Sequence, residues 1–351
     1  MNGKNGKPVV VFNERNLFSW EFNGKEGDHQ ESFSTHTDSH PNGPSSIGMD
    51  VSFPDSSHLY GIPEHATDFA LKPTRESDGG SHISDPYRMY NLDVFEYEVN
   101  SPMALYGHIP LLLSHTAEST VGVFWLNPSE MWVEVEKRES FGILKSSSQM
   151  ESHWFAESGV LDLFFLPASS PAEVFAQYAS LTGTTSLPPL FSLAYHQCKW
   201  NYRSEGEVAE VDAAFDAHDI PYDVIWLDIE HTDGKKYFTW DSHNFPNPEK
   251  MQDGIAAKGR KMVTIVDPHI KRDDGFYIHK EAKEMGLYIK NKEGNDYEGW
   301  CWPGSSSWPD YLRPDVREWW ASKFAYDNYQ HSSNILFIWN GQQLLFFNHP
   351  F

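Results

Sequence analysis

A length of 351 residues exceeds one small module and predicts about two domains. The chain carries 50 acidic residues against 27 basic ones, and its formal net charge of −23 would repel a phosphate backbone, which argues against nucleic acid as a partner. Aromatic residues make up 15% of the sequence, enough for a large core and for flat faces that stack on sugar rings.

Targeting and redox signals are sparse in this sequence. No apolar run approaches the roughly 20 residues that span a bilayer, and Val9–Phe12 is too short for the core of a signal peptide. We therefore expect no membrane span and no signal peptide. Cys198 and Cys301 do not make a disulfide framework, and the sequence leaves open whether they pair.

Residues 1–168 are predicted to form a β-sandwich that is partial at its start. Val9–Phe12 and Leu17–Phe22 predict a hairpin, and the polar stretch Glu26–Ser46 predicts a surface loop. Beyond it, short apolar runs alternate with Pro, Gly and Asn, which is typical of antiparallel sandwiches. The predicted strands are Ile47–Phe53, Tyr87–Val99, Ala104–Leu113, Val121–Leu126, Met131–Val135 and Gly159–Leu166.

Residues 169–186 are predicted to be a helical linker. Ser170 suits the N-cap, and Pro171 suits the first helical position because its missing N–H would have no partner there. The predicted helix runs through Ser180. The Pro188-Pro189 pair prevents a helix from continuing into the next segment.

From residue 187 to residue 340 strands alternate with helices. Val224–Leu227 and Met262–Val266 are continuously apolar, as strands covered on both faces must be. The alternation indicates βαβ units, in a doubly wound sheet or a (β/α)8 barrel, and the roughly 165 residues from residue 187 to residue 351 correspond to the first half of a barrel. The predicted strands are Leu190–Gln197, Asp223–Ile229, Lys261–Asp267, Leu287–Lys290 and Ile335–Trp339, and the predicted helices are Glu205–His218, Pro248–Ala257, His279–Met285 and Pro314–Asp327.

Polar side chains follow the predicted strands at their C-terminal ends, where barrel enzymes build their active sites. Carboxylates that bind hydroxyls and tryptophans that pack on C–H faces would suit a sugar ring. We therefore predict a carbohydrate site. The segments that would form it are His196–Trp200, Asp228–His231, Asp267–His269 and Trp300–Gly304.

Each of these residues also has a purely structural explanation. Asp228 would cap the loop that follows it, Asp267 would belong to an ordinary turn, and Trp302 would fill a core. His196 and His269 are more often packed or orienting histidines than ligands. Their shared position at successive strand ends nevertheless favours one common site.

Several short blocks between residue 60 and residue 340 match the pattern of one enzyme family, and the resemblance extends over nearly the whole chain, from about residue 8. They are Tyr60–Ala66, Tyr90–Phe95, Pro102–Gly107, Ile225–His231, Val266–Lys271, Cys301–Gly304 and Leu336–Asn340. On these blocks the chain resembles glycoside hydrolase family 31. Agreement of so many blocks in one order is a specific signal.

The resemblance implies a β-sandwich followed by a (β/α)8 barrel, and hydrolysis of terminal α-linked glucose with retention of configuration. It implies that Asp228 binds glucose hydroxyls in the −1 subsite and that Ile229 lines the same pocket. Asp267 would stand at the pocket floor and Trp302 at its wall, and Trp339 would be the aromatic residue two positions before the nucleophile. We expect no cofactor and no metal.

One position departs from the family pattern. The family strand reads Trp-Asn-Asp-Met-Asn-Glu with the first Asp as nucleophile, whereas here Trp339 and Asn340 are followed by Gly341. A retaining glycosidase needs two carboxyl groups about 5–5.5 Å apart, and the second would lie beyond Phe351. We therefore expect no catalytic residue and no hydrolysis in this chain. Residues 341–351 would be a non-family tail of a partial or alternatively spliced product, or of an incomplete gene model.

The members most similar to this chain trim N-glycans in the endoplasmic reticulum. The resemblance therefore implies an α-glucoside or glucosylated N-glycan as substrate and a non-catalytic β subunit as partner. It also implies the lumen of the endoplasmic reticulum as location.

Two other function classes stay open. One is a non-catalytic sugar-binding or decoy protein, which would use Asp228, Asp267 and Trp302 without chemistry. The other is a metal-dependent barrel hydrolase, because ligands at successive strand ends are what such enzymes use. Its ligands would be Asp228, His231, Asp267 and His269.

Overall fold

The chain divides into two units near residue 185, and the second begins at Ser186. The computed structural model describes residues 1–341 except residues 2, 4–5, 23–28, 34–35, 41–44, 76–83, 93, 95 and 142–145. Of the predicted tail, only Gly341 falls within the described residues. No helix in this described part is long and apolar enough to cross a membrane.

The first unit is built from antiparallel sheets. A six-stranded sheet has the order β1-β5-β11-β10-β7, with β2 also paired to β5, and a four-stranded sheet has the order β12-β9-β8-β6. β3 and β4 form a separate hairpin. The strands are β1 (Val11–Phe12), β2 (Ser19–Phe22), β3 (His29–Phe33), β4 (His36–His40), β5 (Ser45–Pro54), β6 (Leu59–Gly61), β7 (Tyr87–Met89), β8 (Leu111–His115), β9 (Thr120–Trp125), β10 (Met131–Phe141), β11 (Ser146–Ala156) and β12 (Leu163–Ala168).

The two larger sheets share one hydrophobic core. Met49, Val51 and Phe53 of β5 are fully buried, as alternate residues on the inner face of a strand should be. Trp125 of β9 and Trp154 of β11 meet edge to face, with their ring centroids 6.2 Å apart, and join the two sheets. Truncating a buried tryptophan of this kind costs about 3–5 kcal/mol. The arrangement is a sandwich, as the alternation of short strands predicted.

The predicted hairpin between Val9–Phe12 and Leu17–Phe22 is wrong. β1 and β2 both pair with β5, one after the other along the same edge. The reason is the buried carboxylate of Asp50, which accepts hydrogen bonds from the backbone N–H groups of Arg15 at 2.9 Å and Leu17 at 3.0 Å. The loop between the two strands is thereby held on β5.

Other predictions for the first unit also need correction, among them the strand Ala104–Leu113, because the strand there, β8, begins only at Leu111. The predicted loop Glu26–Ser46 contains the β3–β4 hairpin, and the predicted strand Tyr87–Val99 extends only to Met89. The strand β11 was not predicted, because polar residues interrupt its apolar pattern. One of them, Glu151, is 3% exposed and forms ion pairs with Arg15 and Arg138 at 3.3 Å, which offset its burial.

Helix α1 (Pro171–Thr182) begins as predicted and ends two residues later than predicted. The side chain of Ser170 accepts a hydrogen bond from the backbone N–H of Glu173, which caps the first turn. Val174 is fully buried in a cluster with Leu111, Phe124 and Leu166. The helix therefore packs on the sandwich and belongs to the first unit.

The second unit contains a four-stranded parallel sheet in the order β13-β14-β15-β19. Ile225, Leu227 and Met262 pack on one side of it with Val208 of α2 and Ile255 of α3. A small antiparallel sheet, in the order β16-β18-β17, follows β15. The elements are β13 (His196–Gln197), α2 (Glu205–Ala217), β14 (Val224–Leu227), α3 (Pro248–Ala256), β15 (Lys261–Val266), β16 (Ile270–Lys271), α4 (Tyr277–Glu284), β17 (Gly299–Cys301), β18 (Gly304–Ser307), α5 (Pro314–Ser322) and β19 (Leu336–Asn340).

Two predicted strands of this unit are wrong or too long. The segment Leu190–Leu193 forms a 3-10 turn directly after the proline pair, so only His196–Gln197 remains as strand. Leu287–Lys290 makes single bridges, Tyr288 to Pro309 and Lys290 to Asp296, and joins no sheet. Both segments are apolar enough to predict a strand, but neither finds a continuous partner.

Candidate active site

The C-terminal ends of β14, β15 and β19 bring the predicted site residues to one face of the parallel sheet. Successive side chains of a strand alternate between faces, so Asp228 shares its face with Trp226, and Asp267 shares its face with Ile265. The strand register pairs Ile265 with Trp339. The rings of Trp226 and Trp339 lie 5.4 Å apart, which confirms the shared face.

Asp228 is half-buried and follows β14 with extended backbone, φ −78° and ψ −172°. Its Oδ1 accepts a hydrogen bond from the backbone N–H of Ile229 at 2.7 Å, so it does cap the following turn. Burial raises the pKa of Asp228, and the charge of Glu230 raises it further against the effect of that hydrogen bond. Ile229 is 6% exposed and packs with Tyr237 and Ile265.

Asp267 is almost fully buried and bonded to a tyrosine that the sequence did not single out. The hydroxyl of Tyr237 donates a hydrogen bond to Oδ2 of Asp267 at 2.6 Å, and lies 3.1 Å from Nε2 of His269. Burial raises the pKa of Asp267 to about 6, and the charge of Asp228 acts in the same direction while the Tyr237 hydrogen bond opposes it. The two aspartates are therefore electrostatically coupled.

Trp339 belongs to a chain of ring contacts on the same face. The indole N–H of Trp226 donates to Nδ1 of His196 at 2.8 Å. The other ring nitrogen of His196 must then carry the proton, and it donates to the carbonyl of Ser192 at 3.2 Å. His196 is thus an orienting histidine, and it holds the tryptophan that contacts Trp339.

Trp302 lies in the turn of the hairpin formed by β17 and β18 and is 52% exposed. That exposure contradicts its explanation as core filler. Neither Cys301 beside it nor Cys198 forms a disulfide, which answers the open question about pairing. The residue Cys198 is exposed, but partial burial of its thiol raises the pKa of that group, and the nearby charge of Asp228 raises it further.

The ligand set of the metal-hydrolase alternative does not fit this geometry. His231 is fully buried, and its Nδ1 donates to the carbonyl of Asp228 at 2.7 Å while its Nε2 lies 3.4 Å from the hydroxyl of Tyr329. Both ring nitrogens thus face protein groups. In the described parts of the chain, His, Cys, Asp and Glu side chains form no group of three that could hold an ion.

Gly341 is buried directly beyond β19, next to Asp267. A Cβ atom built on Gly341 would overlap Oδ1 of Asp267 and lie 3.5 Å from Cδ1 of Ile265. The space in which a side chain of residue 341 would start is therefore occupied by the Asp267 carboxylate. At this position the chain offers no carboxylate of its own.

Paired acids and tryptophans lie together at the C-terminal edge of a parallel sheet, which is typical of sites that bind carbohydrates, and the same chain carries a sandwich. Residues 1–134 match the model of the glycosyl hydrolase 31 N-terminal galactose mutarotase-like domain. Residues 185–346 match the model of the glycosyl hydrolases family 31 TIM-barrel domain. Because both parts match domains of one family, the chain belongs to glycoside hydrolase family 31.

The relatives are α-glucosidases. The chain is 59% identical to neutral α-glucosidase AB of Dictyostelium discoideum over 315 residues, which are 90% of this chain and 33% of that protein. It is 55% identical to a probable glucan 1,3-α-glucosidase of Arabidopsis thaliana over 95% of this chain and 37% of that protein. The chain thus spans about a third of the length of these curated relatives.

A solved structure resembles the fold closely. The crystal structure of an ER glucosidase II heterodimeric complex, consisting of the catalytic subunit and the binding domain of the regulatory subunit, has a TM-score of 0.89 and 46% sequence identity. The similarity covers 96% of this chain and 38% of that chain. A crystal structure of the glucosidase II α subunit bound to Glc1Man2 is equally similar, with the same TM-score of 0.89.

Proposed function

We propose that this chain carries the glucose-binding part of an α-glucosidase of the glucosidase II type. The whole protein would remove terminal α-linked glucose with retention, from α-glucosides and glucosylated N-glycans. The observation that carries the proposal is the shared face of Asp228, Asp267 and Trp339 at one edge of the parallel sheet. Four parallel strands in chain order support the first half of a (β/α)8 barrel.

Each side chain has a proposed task at the −1 subsite. Asp228 and Asp267 accept hydrogen bonds from glucose hydroxyls, and bonds to a charged acceptor contribute about 1.5–3 kcal/mol each. Ile229 and Trp339 supply apolar walls, and the exposed indole of Trp302 packs on the C–H face of the ring. These assignments follow the residues that match the family blocks.

The same chain would bind glucose without hydrolysing it. Retention requires a carboxylate nucleophile, and Gly341 stands at the position where the family strand carries it. The non-catalytic alternative is favoured because Gly341 has no side chain and so contributes no reacting group at this position.

Partner and location follow the glucosidase II relatives. The similar crystal structure pairs a catalytic subunit with the binding domain of a regulatory subunit. We propose that a non-catalytic β subunit is the partner and that the lumen of the endoplasmic reticulum is the location.

Two measurements on the purified chain test the proposal. Calorimetric titration with methyl α-D-glucoside should detect binding, and p-nitrophenyl α-D-glucoside should release no nitrophenol above the buffer rate. The control Asp253→Asn changes an exposed carboxylate on helix α3 and should leave binding unchanged. Absence of glucoside binding would overturn the sugar site, and nitrophenol release that Asp228→Asn abolishes would overturn the non-catalytic assignment.

A further inference from the structure

Three polar side chains form a buried trio behind the sugar-binding face. Tyr237 is 0% exposed, and Asp267 and His269 are each 1% exposed. Tyr237 comes from the loop after β14, whereas Asp267 and His269 follow β15. The Tyr237 hydroxyl bonds both partners, whereas Nε2 of His269 lies 3.8 Å from Oδ2 of Asp267, too far for a direct hydrogen bond.

The protons of the trio can be placed by elimination. The Tyr237 hydroxyl has one proton and donates it to Asp267, so Nε2 of His269 must carry the proton of the second bond. A neutral ring then leaves Nδ1 as a bare acceptor. Nδ1 is indeed a buried atom with no hydrogen-bond partner among the described residues, and burial lowers the pKa of His269 to about 3. The bonds therefore run from His269 to Tyr237 to Asp267.

This direction fixes the carboxylate of Asp267. Oδ2 is held by Tyr237, so Oδ1 points towards Gly341 and the face that Asp228 shares. The ring of His269 is itself confined, with the ring centroid of Tyr237 at 5.5 Å and that of the buried Trp308 at 6.0 Å. Two other titratable groups act on Asp267 and Tyr237. The charge of Asp228 raises the pKa of both, and that of Cys301 raises the pKa of Tyr237.

We propose that Tyr237 is the positioning residue for Asp267: its hydroxyl, held by His269, directs Oδ1 to accept a hydrogen bond from a glucose hydroxyl. The inference rests on the proposed glucose site. Tyr237 lies outside the short blocks that carry the resemblance to the family. Tyr237 touches no sugar in this arrangement and acts only through Asp267.

The test compares two buried tyrosines by calorimetric titration with methyl α-D-glucoside. Tyr237→Phe removes only the hydroxyl, and the expected result is an affinity loss of about tenfold, the size of one hydrogen bond to a charged group. The matched control is Tyr288→Phe, which changes a buried tyrosine whose hydroxyl lies 2.8 Å from Nδ1 of His279 in the same core. It should change the affinity by less than about twofold. Equal losses in both variants would overturn the proposal.

Two further readouts separate positioning from packing. In an Asp267→Asn background, Tyr237→Phe should have almost no further effect on affinity, and an undiminished loss would contradict action through Asp267. In a chain labelled with 13Cγ-aspartate, the resonance that disappears in Asp267→Asn should shift in ligand-free Tyr237→Phe. This signal needs no sugar, so it decides the positioning role even where wild-type chain binds no glucoside and the proposed function fails.

Variants of His269 provide a second test that does not depend on the folding of Tyr237→Phe. His269→Gln keeps an N–H near the place of Nε2 and should retain affinity for methyl α-D-glucoside and the 13Cγ shift of Asp267. His269→Leu removes the donor and should reproduce both effects of Tyr237→Phe. A normal carboxyl resonance in folded His269→Leu would show that the histidine does not hold the tyrosine.

Discussion

Asp228 caps a turn and offers a carboxylate to the open face of the sheet, and one substitution separates the two tasks. Asp228→Asn keeps an oxygen that can accept the N–H of Ile229 but removes the charge. We expect the affinity for methyl α-D-glucoside to fall by about one to two powers of ten, since a charged acceptor is worth roughly 1.5–3 kcal/mol. The urea unfolding midpoint should hardly change. An unchanged affinity would show that Asp228 only caps the turn.

His231 makes the second unit sensitive to acid. Burial lowers the pKa of His231 to about 4, below its ordinary value of 6.5. Between these values the unfolded state binds more protons, so the contribution of His231, about 3 kcal/mol, is lost as pH falls from 6.5 to 4, and the buried His269, with its pKa lowered to about 3, acts in the same direction. His231→Asn, which can still donate to the Asp228 carbonyl, should flatten this part of the pH dependence. Urea unfolding at pH 4.5 and 7 measures it.

Two control variants test the direction of this pH dependence of stability. Asp267 has its pKa raised to about 6, so its contribution has the opposite direction and is lost as pH rises from about 4 to 6. Asp267→Asn should therefore steepen the acid loss that His231→Asn flattens. His218→Asn, at the exposed end of α2, should leave the profile unchanged. The same slope in all variants would contradict the buried-histidine explanation.

Part of the candidate site could be predicted, because the end of a buried strand can be recognised in the sequence. Asp228 and Asp267 each follow a continuously apolar run, and the structure places both at the same edge. Tyr237 could not be found in this way, because it lies in a loop without periodicity and its partner is thirty residues away in the chain. The fit of Gly341 against Asp267 depends on the register of β15 and β19, which no local pattern reveals.

At the scale of elements, one buried carboxylate ties helix α2 to the strands beneath it. Asp212 is 5% exposed and accepts hydrogen bonds from the Tyr222 hydroxyl, the Lys258 ammonium and, at 2.6 Å, Arg260. Burial pushes the pKa of Asp212 upward, but these hydrogen bonds together hold it below its ordinary value. The guanidinium of Arg260 also lies 4.1 Å from the ring centroid of Tyr222.

We expect Asp212→Ala to lower the free energy of unfolding of the second unit by about 1–3 kcal/mol, because it leaves the buried hydroxyl of Tyr222 without its acceptor, whereas Lys258 and Arg260 keep Asp216. The matched control is Asp216→Ala. Asp216 bonds the same two cations, but its side chain is 43% exposed and its ion pairs are screened by water, so the expected loss is much smaller. Urea unfolding followed by tryptophan fluorescence measures both. Similar losses would mean that burial is not what makes Asp212 important.

Helices were easier to predict than strands, for a physical reason. Caps and prolines lie next to the helices they start, so Ser170 and Pro248 mark the beginnings of α1 and α3. A strand needs a partner distant in sequence, and the apolar segments Leu190–Leu193 and Leu287–Lys290 lack one. Conversely, β11 is polar in sequence yet central, because β5 and β10 pair with both of its edges.

For the whole molecule we expect the two units to differ in resistance to proteolysis. The first unit closes its own core, with α1 packed on it. In the second, the described strands pair β19 only with β15, and a cleft of about 670 Å³ beside it is lined by Val266, Tyr311, Trp320 and Phe324. Such an apolar sheet edge is open to attack and to aggregation.

Limited digestion should therefore leave a fragment that ends after α1, whose last residue is Thr182, with chymotrypsin cutting at Phe191 or Leu193 and trypsin at Lys199, the first tryptic site beyond Lys145. A separately expressed chain of residues 1–185 is the control and should resist digestion equally well. A single cooperative melt, together with uniform resistance through residue 340, would show that the two units do not differ in resistance.

The position of β5 in the chain also determines how long one of its edges stays unpaired during synthesis on the ribosome. One edge of β5 takes β1 and β2, which are made first, but the other edge waits for β11, about 90 residues later. At 5–20 residues per second this delay lasts roughly 5–18 s, during which this edge of β5 has no partner strand. β10 and β11, in contrast, form a hairpin as soon as both have emerged. A nascent chain stalled before Ser146 is therefore the state most prone to pair its open edge with another chain.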